Sequence, residues 1–480
     1  MILMIPHLSF LLFSIFLLYL IRNKSSAGLI HILVSFISFL FAIYTLINKN
    51  IFLYKEINVI EVLENITISF NLDYLGLVFL IVSNGLWFMT SIYTNRYLKL
   101  NNYQSHGKFF IFFLISMMST NAIIYSANLF TTFIFYEILT IATYPLVTFK
   151  SDEKSISSGK KYLYYLLGTS IIFLLPAIII TYNVTGTLTY TENGIFPTYD
   201  SNLINILIIL FLFGVAKSAI IPFHKWLPTA MVAPTPVSAL LHAVAVVKSG
   251  VYILIKIIIY IFGLNVLKNT GSDLFILFAS LTIILSSIIA LKQDSIKLRL
   301  AYSTIGQLSY IILGVAILAP YSILASVLHI IFHALGKITL FLASGSITTQ
   351  TGIKNVTDMD GLSSRLPYTC LLMSLGAFIM VGLPPTIGFI SKWYLVIGII
   401  ESNKLYLLTI IIVSTILNAS YYFPIIYRSY FMPKNIRSKV KNEEDMQLIT
   451  PVIIIGLISI ILFFNLDSII MFLEESIILK

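Results

Sequence analysis

Apolar residues run along this chain in blocks of roughly 20, set apart by short polar stretches. A bilayer core about 30 Å thick is crossed by about 20 apolar residues in helical form, because the helix satisfies its own backbone groups. Counting by apolar length predicts about fourteen spans. The first seven lie near Ile5–Ile21, Leu29–Ile47, Tyr74–Tyr93, Phe109–Ala127, Leu129–Phe149, Tyr162–Thr181 and Leu203–Ile221. The second seven lie near Pro236–Phe262, Leu274–Leu291, Tyr302–Leu318, Ile323–Ile347, Tyr368–Ile400, Leu405–Tyr427 and Ile449–Leu466. No loop between them has room for a soluble domain, so residues 1–480 are expected to form a single transmembrane domain. The expected fold class is an all-α integral membrane protein.

Two spans are interrupted. The seventh runs into Ile221-Pro222-Phe223-His224-Lys225-Trp226-Leu227-Pro228, and the twelfth is cut by Gly382-Leu383-Pro384-Pro385 and Gly388. Proline removes a helix hydrogen bond and clashes with the preceding turn. Broken helices at corresponding places of two halves mark inverted-repeat transporters, with the transport path at the breaks. The breaks lie five spans apart, which predicts two five-helix inverted repeats, one over about 109–262 and the other over about 274–427.

Composition agrees: 58% of residues are hydrophobic and only 10% charged, against about 25% charged in soluble domains. The single cysteine, Cys370, excludes a disulfide framework and a cysteine-held metal or cluster. The chain carries no GxGxxG, P-loop or CxxC pattern, so no cofactor is expected and any redox electrons travel elsewhere. The first block lacks a basic leader and is followed by Arg22 and Lys24, which predicts a retained span over a cleaved signal peptide.

Loop charge explains the formal net charge of +10 without nucleic acid. Loops after odd-numbered spans hold 20 basic residues, including Lys150, Lys154, Lys297, Lys354 and Arg428, whereas the opposite loops hold five. The positive-inside rule then makes the odd loops cytoplasmic and puts both termini outside, in a bacterial inner membrane. The charge run Lys434–Asp445 is expected to be a solvated loop. Asp294, Lys297 and Arg299 are expected to be a solvated anchor with a subunit contact.

Five lysines remain inside spans: Lys217, Lys248, Lys256, Lys337 and Lys392. Among acidic residues, Glu137 sits mid-span. A charge at a helix centre costs about 2.5–3.5 kcal/mol on insertion scales, so these groups must be paired, hydrated or neutralised. Burial weakens a lysine's hold on its proton and a nearby glutamate restores it. A lysine able to move between those surroundings can load and release protons. Each has a bland alternative. Glu137 could make a structural hydrogen bond, and Lys256, near a helix end, could snorkel to the surface. His329, His333 and Lys337 recur every four residues, which puts them on one helix stripe. A metal pair is the competing reading, but no third ligand lies nearby, so no metal is expected. Lys392 follows the second break. His242, six residues before Lys248 and off its face, reads equally as relay or packing.

The stretches FYEILTIATYPLV, KSAIIPFHKWLPTAMVAPTPVSALLHAVAVVKSGVY, RLAYSTIGQLSYIILG, HIIFHALGKITLFLASGSI and GLPPTIGFISKW, in this order, carry a resemblance. They resemble the proton-translocating membrane subunits shared by respiratory complex I, Mrp-type cation/proton antiporters and membrane-bound hydrogenases. The resemblance implies fourteen core helices with the seventh and twelfth broken. It also implies roles by position: Glu137 and Lys217 as an ion pair, Lys248 as a bridge, His329, His333 and Lys337 as a relay, and Lys392 as the terminal charge. Protons would pass along this lateral wire as the Glu137–Lys217 pair opens. Length and Lys392 look most like the D-type subunit of an Mrp-type antiporter, working with other membrane subunits on protons, with Na+ as the candidate counter-ion. The competing readings are a proton-pumping subunit of an NADH–quinone oxidoreductase and, third, a stand-alone transporter. In none does the chain carry a catalytic site of its own.

Overall fold

The computed structural model describes residues 4–24, 26–64, 66–196, 200–433 and 444–474. Each of the expected apolar blocks contains a helix. In chain order these are α1 (Met4–Leu20), α2 (Ala27–Ile47), α3 (Tyr74–Leu100), α4 (His106–Tyr125), α5 (Leu129–Val147), α6 (Glu153–Thr185) and α7 (Ser201–Gly214). Then follow α8 (Thr235–Phe262), α9 (Asp273–Leu291), α10 (Ile296–Ala316), α11 (Pro320–Thr351), α12a (Pro367–Val381), α12b (Ile387–Glu401), α13 (Leu407–Phe431) and α14 (Met446–Phe464). Among the described residues, ten helices are long and apolar enough to cross a membrane; α1, α7 and α12a are shorter apolar helices. The protein is a multi-pass, all-α membrane protein.

One element escaped the sequence reading: an antiparallel hairpin of β1 (Ile57–Leu63) and β2 (Ile66–Phe70) between α2 and α3. Its second strand meets the α4–α5 turn, where Ser69 N–H donates to Thr131 Oγ1 at 3.0 Å. The hairpin thus seals the end of the bundle where α3 begins.

Helix α11 is the axis. It packs against α3, α8, α10, both halves of α12, and α14. Its most apolar window is 94% buried and that of α8 is 89%, against 33% for α2, α6 and α13. A helix enclosed on every side is ordinarily apolar all round. Yet α8 and α11 carry most of the anomalous charges.

Both expected spans are interrupted, the twelfth at its prolines and the seventh earlier than expected, at Val215, upstream of Pro222. After Gly214 the chain leaves the α-helix until Trp226, with a 3-10 turn at Ala216–Ser218, and after Val381 it does so until Ile387. Protein groups satisfy the freed backbone, as membrane depth requires. Lys217 N–H donates to the Tyr136 hydroxyl (3.2 Å), Ile221 N–H to Thr282 Oγ1 (3.2 Å), and Trp226 Nε1 to Ala216 O (2.8 Å). At the second break Lys392 Nζ donates to Val381 O at 2.7 Å. Glycine lets α8 press on the first break: a Cβ on Gly250 would collide with the carbonyl carbon of Lys217.

Loops after odd-numbered spans gather on one face. There Arg96 binds Asp445 with two nitrogens (2.6 and 3.1 Å), Arg428 meets Asp360 at 2.9 Å, and Asp294 accepts from Thr357. Most of the charge run from Lys434 lies outside the described residues. Its last two residues are partly accessible and also engaged by neighbouring helices. Asp445 caps α14 and holds Arg96, while Glu444 accepts from the first N–H groups of α12a at Tyr368 and Thr369. A helix N-terminus favours a carboxylate there. Of the expected solvated anchor, Asp294 is exposed and Arg299 is internal. Arg299 is buried and donates to Gln293 O (2.8 Å) and Tyr421 O (3.0 Å), because α10 starts against α13.

Candidate functional site

All the anomalous charges but Lys256 converge within the bundle, and each is held differently. Lys217 lies in the first break and is fully buried. Its ammonium donates to Tyr136 O (2.7 Å) and Thr140 Oγ1 (2.6 Å) and lies over the Tyr136 ring, 3.1 Å from its centroid. Glu137 stands next to Tyr136 on α5, half-buried, with Oε1 lacking a hydrogen-bond partner. The two charges are within electrostatic reach, but among the described residues no Glu137 ion pair closes within 4.0 Å. The lysine instead takes its acceptors from the α5 backbone and a threonine one turn on.

Lys248 has the costliest placement. It is 1% accessible on α8, between Val246, Val247 and Val251, and its Nζ has no hydrogen-bond partner. It faces the α11 stripe and lies within electrostatic reach of His329, His333 and Lys337. Lys217 joins this cluster through packing, by the close approach of Gly250 to its backbone.

On α11 the stripe is real. His329 and His333 stand with ring centroids 6.0 Å apart. Hydrogen bonds link His329 Nδ1 to Ser391 Oγ (2.9 Å) and Nε2 to Gln307 Oε1 (3.0 Å). Both nitrogens of His333 lack partners. Lys337, fully buried, donates to Leu300 O (3.1 Å), the Tyr422 hydroxyl (3.0 Å) and Ser303 Oγ. Lys392 neighbours Ser391, donates to Val381 O, and reaches Thr415 Oγ1 at 3.4 Å. His242 stacks on Phe341 at 4.5 Å, and it lies in reach of His333, Lys337 and Lys297 with both nitrogens unpartnered.

So α5 and the first break bring Glu137 and Lys217 together, α8, α11 and α12b bring Lys248, the histidines, Lys337 and Lys392 together, and Gly250 packs the two sets side by side as an interior row. Polar partners missed by the sequence reading complete it. Ser303 and Gln307 lie four residues apart on α10, in RLAYSTIGQLSY, and that helical spacing was the available signal. Tyr422 and Thr415 on α13 left none. Among the described residues no three His, Cys, Asp or Glu side chains are grouped to hold a metal.

Lys256 does not snorkel. It is 4% accessible and pairs with Asp73 at 3.4 Å, donates to Ser126 O at 3.1 Å, and lies 4.2 Å from the Tyr190 ring centroid. Asp73 also caps α3 by accepting from Gly76 N at 2.6 Å. The Tyr190 and Tyr252 rings flank the ammonium, and Lys256 and Asp73 together line a small cavity with Glu192. Removing one partner of a buried pair strands the other. Lys256→Ala is therefore expected to destabilise the protein by about 3–5 kcal/mol, measured as a lower melting temperature in detergent. Lys256→Arg, which keeps the pair, is expected to melt close to the parent; equal melting of the alanine variant and the parent would remove the pair's structural role.

A helical membrane bundle with two interrupted spans and an interior row of lysines and histidines defines the class: an ion-handling membrane subunit. The chain belongs to the NADH:quinone oxidoreductase/Mrp antiporter transmembrane family, whose sequence profile matches residues 126–418. It is 29% identical over 400 residues to NADH-quinone oxidoreductase subunit N of Desulforudis audaxviator, covering 80% of this chain and 78% of that one. It is 28% identical over 428 residues to the A-type subunit of a Na(+)/H(+) antiporter from Alkalihalophilus pseudofirmus, covering 82% of this chain and 52% of that one. The chain thus spans about half the length of that antiporter relative. A chain of the Mrp complex from Dietzia sp. shares the fold, with a TM-score of 0.88 at 18% identity over 98% of this chain and 96% of that one.

Proposed function

We propose that this chain is the proton-translocating membrane subunit of a multi-subunit monovalent cation/proton antiporter, of the Mrp type and D-like. One observation carries the reading: Lys217, Lys248, His329, His333, Lys337 and Lys392 are each buried inside the bundle, and Lys248 lies in electrostatic reach of His329, His333 and Lys337. Buried ionisable groups in a membrane are costly and mark ion pathways. Glu137 is the gate: when it approaches Lys217 the lysine holds its proton, and when it withdraws the proton moves on. Lys248 bridges to the histidines, Lys337 stores the proton, and Lys392 passes it out at the second break. Fourteen crossings, repeats over about 109–262 and 274–427, and two outside termini in a bacterial inner membrane complete the proposal. The gathering of the lysine-rich loops on one face supports that orientation. The name of the antiporter relative supports Na+ as counter-ion.

A second reading, a proton-pumping subunit of an NADH–quinone oxidoreductase, is favoured by the 78% coverage of the oxidoreductase relative. Purifying the tagged chain with its native partners in mild detergent separates the two. Small membrane partners, Na+-dependent proton uptake in vesicles, and no flavin or iron–sulfur absorbance are the expected results. Co-purified flavin and iron–sulfur subunits would transfer the chain to the oxidoreductase.

A further inference from the structure

A cavity of about 580 Å³ opens on the face where the lysine-rich loops gather. Three separate stretches of chain put ammonium groups into its lining: Lys150 and Lys154 around the start of α6, Lys297 at the start of α10, and Lys354 after α11. Among the described residues no carboxylate lines it. Of the two acids nearest in sequence, Glu153 is exposed and outside the lining, and Asp152 is engaged as the α6 cap, accepting from Ser155 N at 2.7 Å. Four like charges around one cavity repel, and no lining group offsets them. Burial is the main cause that pushes the Lys150 ammonium below the ordinary lysine range; the attraction of Asp152 opposes it, and Lys354 and Lys154 add smaller pushes downward.

The cavity is also incomplete in hydrogen bonds. Thr235 contributes to its wall, is 1% accessible, and its Oγ1 has no partner. Lys297 is braced, donating to Ala233 O at 2.9 Å and reaching Ser238 Oγ at 3.5 Å. A braced ammonium, a free buried hydroxyl and three further ammonium groups form a donor set without an acidic acceptor. Phosphate oxygens are multiple acceptors with charge to match, and lysine binds them as a point charge.

We propose that this cavity binds a phosphate-type oxyanion, supplied by an acidic lipid headgroup or by free phosphate. A bound anion would keep Lys297 charged within electrostatic reach of His242, slowing proton uptake into the interior row. That consequence rests on the transport reading; the binding does not.

The test uses the full chain in phosphatidylcholine nanodiscs, with melting temperature as readout. One arm adds inorganic phosphate against chloride at equal ionic strength, and the other replaces part of the lipid with phosphatidylglycerol. The Lys150→Gln/Lys354→Gln variant removes two charges from the lining, while Lys160→Gln/Lys161→Gln removes two exposed charges outside the cavity. At least one arm is expected to raise the melting temperature of the parent and the control, with a tenfold or greater loss of potency in the cavity variant. A response to phosphate assigns a free anion, and one confined to phosphatidylglycerol assigns a headgroup. No response in either arm, or an equal response in the cavity variant, overturns the proposal. Because melting is read without transport, failure here leaves the antiporter reading standing.

Discussion

Lys337→Ala is expected to lower proton transfer by at least tenfold while the protein still inserts and assembles. The local chemistry explains why the two effects separate. Lys337 has three acceptors, and two of them are already partners of each other: Ser303 Oγ and the Tyr422 hydroxyl lie 2.9 Å apart. Ser303 also donates to Leu300 O at 2.8 Å. When the ammonium is removed, these oxygens keep hydrogen bonds, so no buried acceptor is orphaned. What disappears is the group that can hold and release a proton between His333 and the far side of α10. Lys337→Arg makes the sharper comparison. Arginine preserves the charge but does not deprotonate, so it is expected to transport as poorly as alanine. Proton uptake by vesicles containing the assembled complex, normalised to the amount of chain, provides the measurement. Parental rates in the arginine variant would mean that Lys337 serves as a fixed charge.

Much of this architecture is legible in the sequence because membranes punish exceptions. Each lysine inside an apolar block stands out against an insertion cost of about 2.5–3.5 kcal/mol, so Lys217, Lys248 and Lys337 can be named from the sequence alone. Pro222, Pro384 and Pro385 likewise announce the two breaks, since proline leaves a helix no choice. Legibility fails where the decisive partner is distant and locally ordinary. Asp73 sits at a helix start, where an aspartate reads as a cap, and nothing in the sequence ties it to Lys256. Arg299 looks like loop charge until α10 is seen to start against α13. The hairpin Ile57–Phe70 lies between spans, in a segment too short for the apolar-block criterion to notice. Glu137 and Lys217 both stand out in the sequence, but their positions cannot say which acceptor the ammonium takes: it bonds Tyr136 O and Thr140 Oγ1.

Lys248 offers the strongest test of whether the interior row exists for function. A buried charge without hydrogen bonds is a liability to the fold, and replacing such groups by apolar residues of similar shape is often neutral or stabilising by about 1–4 kcal/mol. Methionine matches lysine in length and flexibility and suits the surrounding Val246, Val247 and Val251. Lys248→Met is therefore expected to melt at or above the temperature of the parent. Proton transfer is expected to fall at least tenfold, because the bridge between the Lys217 region and the α11 histidines is gone. A residue retained for packing would show the reverse: lower stability with transport intact. Measuring both properties on the same preparation, melting in detergent and proton uptake in vesicles, distinguishes the two. If Lys248→Met transports at the parental rate, the protons do not cross from α8 to α11 through this side chain, and the lateral path must be redrawn through His242, the other unpartnered ionisable group on α8 that reaches Lys337.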